Sequence, residues 1–351
     1  MIDEERQERV NRLKNLRTLL DSMESSRVTL IGDVMLDRYH HGYANNLNST
    51  APVPVLKITS SEESPGAAAH IARGLHSLGL SVAFYSCVGG DSEGQTIKSL
   101  LNEDGIDISG IELIHGVQTL TKIRFYGSRQ SLLDQEQILL QADRGPLDDL
   151  DKSISSSLVD SALTSIPNSC ALVISDYDKG VLSDEGAQIL INSAKVHEIP
   201  SIVDPKLTGL ERSRGATVVL FEIRGLELLR RRLMLEDSSL TAKHLIDEYE
   251  WNSLVILGGV NGVTLYQSNG DVEHHECNAQ TPTQQIGLHD AAATALAAAL
   301  GHQYSMTDAV ALVSAACDCV LSAEASHEFV DRKELSLWLD DLSWQLQISD
   351  R

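Results

Sequence analysis

The chain has 351 residues, 42% of them hydrophobic, which is ample for a large buried core and fits one big α/β domain or two smaller ones. Lys+Arg 28 against Asp+Glu 50 leaves a formal net charge of −22, a surface that repels nucleic acid and anionic membranes with no basic stripe to offset it. The longest apolar run, alanine-rich and centred on residues 291–300, falls far short of the roughly 20 residues a membrane-spanning helix needs.

The N-terminus, MIDEERQERVNRLKNLRTLL, is densely charged and has no apolar signal core, which predicts a cytoplasmic protein. Residues 1–24 read as an amphipathic helix with Val10, Leu13, Leu16, Leu19 and Leu20 on one stripe. RVTLIGDVML is a short apolar strand that ends on carboxylates. The polar, β-branched stretch HGYANNLNSTAPVPVLKITSSEES follows, and its two prolines forbid a central strand and predict an edge ribbon or flap. From GAAAHIARGLHSLG onward helical and strand patterns alternate. Helix 67–78 leads to strand SVAFYSCVG and helix SEGQTIKSLLNEDG; later come strand CALVISDYDKG, helix SDEGAQILINSAKVHE, and strands IPSIVDPK, ATVVLFE and SLVILGG. This rhythm predicts a doubly wound, mostly parallel sheet with helices on both faces, and in such sheets ligands sit at the carboxyl ends of strands. Here those ends carry Asp33, Asp37, Asp176, Asp204 and Gly258. TLTKIRFYGSRQSLLDQEQILLQAD breaks the pattern as two extended pieces around a polar insert, a second ribbon.

Asp33 and Asp37 straddle a strand end. Such a pair can accept hydrogen bonds from sugar hydroxyls, or can be solvated loop acids or a helix cap. Gly66 stands at the mouth of a helix, where it lets a ligand approach or simply turns the chain. Lys179 follows the buried strand that ends at Asp176, as a phosphate contact or a surface lysine. Gly287 precedes Asp290 at the start of the alanine-rich helix. Free amides there would attract a transferring phosphoryl group while the carboxylate takes a proton, although Asp is also a preferred N-cap. The five cysteines (Cys87, Cys170, Cys277, Cys317, Cys319) are odd in number and scattered, so reduced thiols are expected. His274–Cys277 and Cys317–Cys319 lack a second ligand pair at suitable spacing, and no metal is assigned.

Together GDVMLDRY, APVPVLK with EESPGAAAHIARGLHSLG, VGGDSEG, TKIR, SDYDKGVLS, DPK and GLHD, in this order over residues 27–330, resemble the PfkB/ribokinase family of carbohydrate kinases, most of all its heptose-7-phosphate kinase branch. The resemblance implies a ribokinase-like α/β domain over 27–345 behind an N-terminal helical extension (1–26). It also implies a small β-sheet lid formed by about 39–63 and 118–142, which often pairs two subunits into a homodimer. No H-x-G-H signature is present, so a nucleotidyltransferase domain is not expected. The resemblance assigns Asp33 and Asp37 to sugar hydroxyls, Gly66 to a hinge, and His70, Lys122 and Arg124 to the substrate side. Asp290 becomes the general base, with Gly287, Leu288 and His289 forming the anion hole. Lys179, Lys206, Glu222, Gly258 and Gly262 fall on the nucleotide or phosphate side, with ATP and Mg2+ as cofactors.

Several positions depart from the family pattern. Gly-Ala-Gly-Asp is Gly287-Leu288-His289-Asp290 here, which adds a side chain where phosphate should approach. The Asp-x-Thr that leads in is replaced by Gln284 and Ile286. The N-x-x-E motif falls on Glu222 and Gly225; the paired glycines are Gly66-Ala67; the following asparagine is His70; and the lid's arginine and glutamate are Asn46 and Thr50. Two readings follow. One is a carbohydrate kinase of impaired catalysis, transferring the ATP γ-phosphate to a sugar or sugar-phosphate hydroxyl. The other is an inactive pseudokinase serving as a sugar or nucleotide sensor or a dimeric scaffold.

Overall fold

The computed structural model describes residues 2–23, 26–128, 137–146, 150–279, 286–323 and 329–348. Helix α1 (Ile2–Ser22) precedes β1 (Arg27–Gly32) and a long hairpin, β2 (Val34–Leu47) and β3 (Pro54–Ala67). Then come α2 (Ala68–Ser77), β4 (Ser81–Gly89), α3 (Ser92–Glu103), β5 (Ile111–Ile114), β6 (Thr121–Ser128) and β7 (Gln137–Arg144). The middle of the chain supplies α4 (Lys152–Leu163), β8 (Ala171–Ser175), α5 (Asp184–Val196), β9 (Ser201–Asp204), β10 (Val218–Glu222) and α6 (Ile223–Leu233). The rest is α7 (Ser238–Tyr249), β11 (Ser253–Leu257), β12 (Val263–Gln267), β13 (Val272–His275), α8 (Leu288–Gly301), α9 (Met306–Ser322) and α10 (Arg332–Ile348).

Among the described residues one sheet runs β13-β12-β11-β10-β9-β8-β1-β4-β5. It is parallel from β11 through β5, with β12 and β13 antiparallel at one edge. Strands β8 (ALVIS) and β11 (SLVIL) are buried at every position, as expected where both faces are covered. One face packs a core containing Leu16, Leu20, Leu30, Ile71, Leu296 and Leu312; the other packs Ile31, Ile174, Leu190, Leu245 and Trp251. The mostly parallel, doubly wound sheet is thus as the sequence predicts. The stripe of α1 is buried as well, in the first of these cores and against α10, so this helix is packed into the fold. The strand expected over IPSIVDPK is only Ser201–Asp204: Pro205 has no N–H to continue the ladder.

A second sheet, β3-β2-β6-β7, stands apart from the first. Its outer strand β3 carries Pro54 at its first residue and Pro65 near its end, positions an edge tolerates. The polar insert expected in the second ribbon, 129–136, lies outside the described residues.

Topology sets the location of the cleft. From β1 the chain moves outward to β4 and β5, then returns to β8 on the other side and proceeds to β11. Such a reversal leaves a crevice at the carboxyl ends of the two strands flanking it, here β1 and β8.

Candidate active site

Asp33 follows β1 and is 1% exposed. Its carboxylate accepts the backbone N–H of Tyr177 at 2.8 Å, of Lys179 at 3.2 Å and of Val181 at 3.4 Å, and so holds the loop after β8 across the switch point. Burial and the neighbouring Asp176 push its pKa up to about 6 against those three donors. Asp33 therefore shapes the cleft wall instead of standing open beside Asp37. Asp37, on β2, accepts from Arg124 Nη1 at 2.7 Å, and that guanidinium also donates to Tyr39 Oη at 3.1 Å. Asp37 and Arg124 are 3% and 7% exposed, so the substrate-side residues expected singly form one buried ion pair between β2 and β6.

At the expected hinge, packing and torsion fall on two adjacent residues. Gly66 lies in β3 in register with Met35, and a Cβ there would sit 2.9 Å from Asp37 Cγ and overlap its Oδ2. Close approach explains that glycine. The unusual torsion belongs to Ala67 (φ 57, ψ −127), which turns the lid strand into α2.

Helix α8 starts at Leu288, not at Asp290. Gly287 caps it in the left-handed region (φ 88), and Asp290 is the third residue of the first turn. The amides of Leu288, His289 and Asp290 thus have no acceptor within the helix. The Leu288 side chain is 7% exposed and packs into the core, so it does not obstruct the turn as its position in the sequence suggests. His289 Nδ1 lies 2.8 Å from Asp204 Oδ1 at the end of β9. Burial opposes charge on the imidazole, but Asp204 outweighs it and the pKa is raised. Asp290 is 4% exposed. His70 Nδ1 lies 3.2 Å from its Oδ2, and its Oδ1 has no hydrogen-bond partner among the described residues.

Tyr177 sits at the centre and was not anticipated as a site residue. Burial, then the charges of Asp290, Asp204, Asp37 and Asp33, drive its phenol well above the usual tyrosine range. Lys206 Nζ lies 4.0 Å from that ring's centroid and Lys122 Nζ 5.6 Å. Burial holds the Lys122 ammonium below the usual lysine range, with Asp37 opposing and Arg124 and Lys206 adding to the shift. The only hint in sequence was a tyrosine inside SDYDKG.

Other expected residues lie apart from this group. The Lys179 side chain is exposed, and it lines a cavity of about 530 Å3 with Asp33, Cys87, His115 and Thr119 that Asp290 does not border. Glu222 ends β10, exposed and making no capping bond to α6. Gly258 donates to Gly262 O at 2.8 Å in the turn after β11, and a Cβ at Gly262 (φ 79) would run into the β13 backbone. Tight geometry accounts for that second glycine. Gln284 lies outside the described residues; Ile286, half-buried, leads into Gly287.

The sequence pattern of the pfkB family carbohydrate kinases matches residues 25–331. The chain belongs to this family. It is 30% identical over 308 residues to the bifunctional protein HldE of Vibrio atlanticus (strain LGP32), covering 87% of this chain and 62% of the relative. It is 31% identical over 314 residues to the same-named protein of Paramagnetospirillum magneticum (strain ATCC 700264 / AMB-1), covering 88% and 63%. The chain therefore spans less than two thirds of the length of these relatives. Its fold is that of solved kinases at low identity. Arabidopsis thaliana ribokinase complexed with ribose and ATP aligns with TM-score 0.69 at 15% identity, covering 90% of this chain and 99% of that one. Escherichia coli phosphofructokinase-2 in complex with substrates and products aligns with TM-score 0.73 at 18% identity, covering 91% and 99%.

Members of a carbohydrate kinase family imply a nucleotide and a divalent metal. The free amides of α8 with Lys206 alongside suit a phosphoryl group. No group of three or more His, Cys, Asp or Glu side chains able to hold a metal occurs among the described residues. A magnesium ion would be held chiefly by phosphate oxygens, where it would neutralise charge on the transferring group. No described helix is long and apolar enough to cross a membrane.

Proposed function

We propose that this pfkB-family protein is a cytoplasmic ATP-dependent kinase acting on a hydroxyl of an anionic sugar, such as a sugar phosphate. The observation that carries the reading is Asp290: a buried carboxylate with one oxygen held by His70 and the other without a partner among the described residues, at the mouth of a 14-residue helix. Oδ1 takes the proton of the acceptor hydroxyl, whose oxygen attacks the γ-phosphorus of ATP, and ADP leaves. The amides of α8 receive the transferring group's negative charge. Lys206 and Lys122 both stand by Tyr177 in a strongly acidic chain, Lys206 for the transferring phosphoryl group and Lys122, on β6, for an anionic acceptor. The residues of the second sheet act as a lid over this acceptor side. Leu47, Val55 and Ile58 together with Ile138 and Leu140 are exposed on that lid and support pairing with a second copy, which sedimentation measures.

One observation favours the inactive reading. The carboxylate expected one turn into α6 is Gly225, and Glu222 makes no capping contact. A coupled ADP-release assay over a panel of sugars and sugar phosphates separates the two. Acceptor-dependent turnover that Asp290→Asn abolishes supports the kinase; a thermal shift with sugar but no turnover with any acceptor supports the sensor.

A further inference from the structure

Two helices begin at this cleft, and their packing is in step. Gly74 of α2 lies against Thr294 of α8, where a Cβ on the glycine would come within 2.9 Å of the threonine Oγ1. One helical turn towards the N-terminus of each stand His70 and Asp290, 3.2 Å apart and 2% and 4% exposed. The alanine-rich α8 is a narrow helix, and Gly74 allows α2 to approach it closely at Thr294. The contact between imidazole and carboxylate is therefore set by two rigid backbones, not by flexible side chains finding each other.

An ionised carboxylate has only acceptors, so the proton of this hydrogen bond resides on His70 Nδ1. With Oδ2 so engaged, rotation of the Asp290 carboxyl is restrained and Oδ1 is the oxygen left to meet a hydroxyl. We propose that His70 is a positioning residue for the phosphoryl-transfer step. By donating Nδ1–H to Asp290 Oδ2 it fixes which carboxylate oxygen is presented to the acceptor hydroxyl. The inference rests on the kinase reading above and deepens it. Without the donor, Oδ2 becomes a buried acceptor with one fewer partner, and the carboxyl can rotate so that neither oxygen is fixed towards the acceptor. Misorientation of a reacting group by about 1 Å alone can cost about 10²-fold in rate.

The test compares His70→Leu and His70→Asn with the native chain. Asparagine carries an N–H at the same number of bonds from Cα as Nδ1 does, whereas leucine fills similar space with no donor. The expected result is a fall in kcat of about 10²-fold for His70→Leu, with KM for ATP and acceptor within about threefold of native, and recovery of most of that loss in His70→Asn. A kcat for His70→Leu within about threefold of native overturns the proposal, and so does an asparagine variant no better than leucine. A loss confined to the acceptor KM also overturns it, because His70 would then be a substrate contact. Melting curves of both variants exclude a global folding defect. A long-range 1H–15N spectrum of 15N-histidine protein reads the pair without turnover: the His70 resonance, identified by its loss in His70→Asn, should be protonated at Nδ1 and shift in Asp290→Asn. Absence of that tautomer refutes the pair itself. If the tautomer is present but no acceptor is turned over, the kinase reading fails and the catalytic role fails with it, while the pair stands.

Discussion

Replacing Gly66 by alanine tests the packing that joins lid and cleft. The new Cβ would sit 2.9 Å from Asp37 Cγ and overlap Oδ2, so the carboxylate must move by about 1 Å or the lid strand must shift. Neither is free: Asp37 Oδ1 is 2.7 Å from Arg124 Nη1, and both groups are buried. Overpacking by one methyl typically costs about 1–3 kcal/mol, and fully separating a buried ion pair about 3–5 kcal/mol. Because the Arg124 guanidinium keeps Tyr39 Oη, partial separation is the relevant case, and about 3 kcal/mol is expected. For a chain of this size that lowers the melting temperature by about 4 °C. Thermal denaturation of Gly66→Ala, Asp37→Ala and the double variant forms a cycle. Once the carboxylate is gone the new methyl has room, so the two losses should fall short of additivity by at least about 1 kcal/mol. Strict additivity, or a Gly66→Ala protein melting within about 1 °C of native, refutes the close-approach account.

Two more outcomes follow from the charges. Removing the acceptor-side cation, as Lys122→Ala, should raise KM for a phosphorylated acceptor by about 10-fold or more, as for a lost charged hydrogen bond, and leave a neutral sugar unaffected; equal effects on the two acceptors would remove the reason for preferring an anionic one. Asp33 has a folded-state pKa of about 6, raised mainly by burial, so the folded protein holds its proton more tightly than the unfolded chain does. Its proton-linked stabilisation is present below about pH 4 and lost as pH rises through about 6, a swing of about 3 kcal/mol. Denaturant unfolding between these limits should show a component of this sign that is absent in Asp33→Ala, and parallel curves for the two proteins would contradict it.

The layers of the fold were legible because they depend on local periodicity. Short β-branched runs such as ALVIS and SLVIL read as strands covered on both faces, and proline placement marked β3 as an edge. The site was legible in part: Lys122 and Lys206 stand by Tyr177 and Asp290 lies in the first turn of α8, but their connections were not visible. His70 meets Asp290 across 220 positions of chain and His289 meets Asp204 across 85, and no local spacing encodes such pairings. Leu288 shows the limit from the other side. Its identity suggested obstruction, yet the direction of a first-turn side chain depends on where the helix starts, and a start at 288 sends it into the core.

That geometry changes the weight of the departures. At α8 the leucine leaves the turn clear, and the first-turn amides lack helical acceptors whatever side chains they bear. At α6 the position of the expected carboxylate is Gly225, and Gly225→Glu isolates that loss. A Cβ at this position meets only Leu207 Cδ2 at 3.5 Å, ordinary contact, so a side chain fits. Exchanging an internal helical glycine should by itself stabilise the protein by about 0.5–1 kcal/mol, so melting temperature should rise in either case. Activity discriminates. If magnesium and nucleotide handling limits the native protein, turnover with ATP should increase about 10-fold or more, as restoring one transition-state contact does elsewhere. A stabilised variant with unchanged turnover would show instead that the His289–Asp204 and Lys206 arrangement carries the phosphoryl charge without an acidic partner on α6.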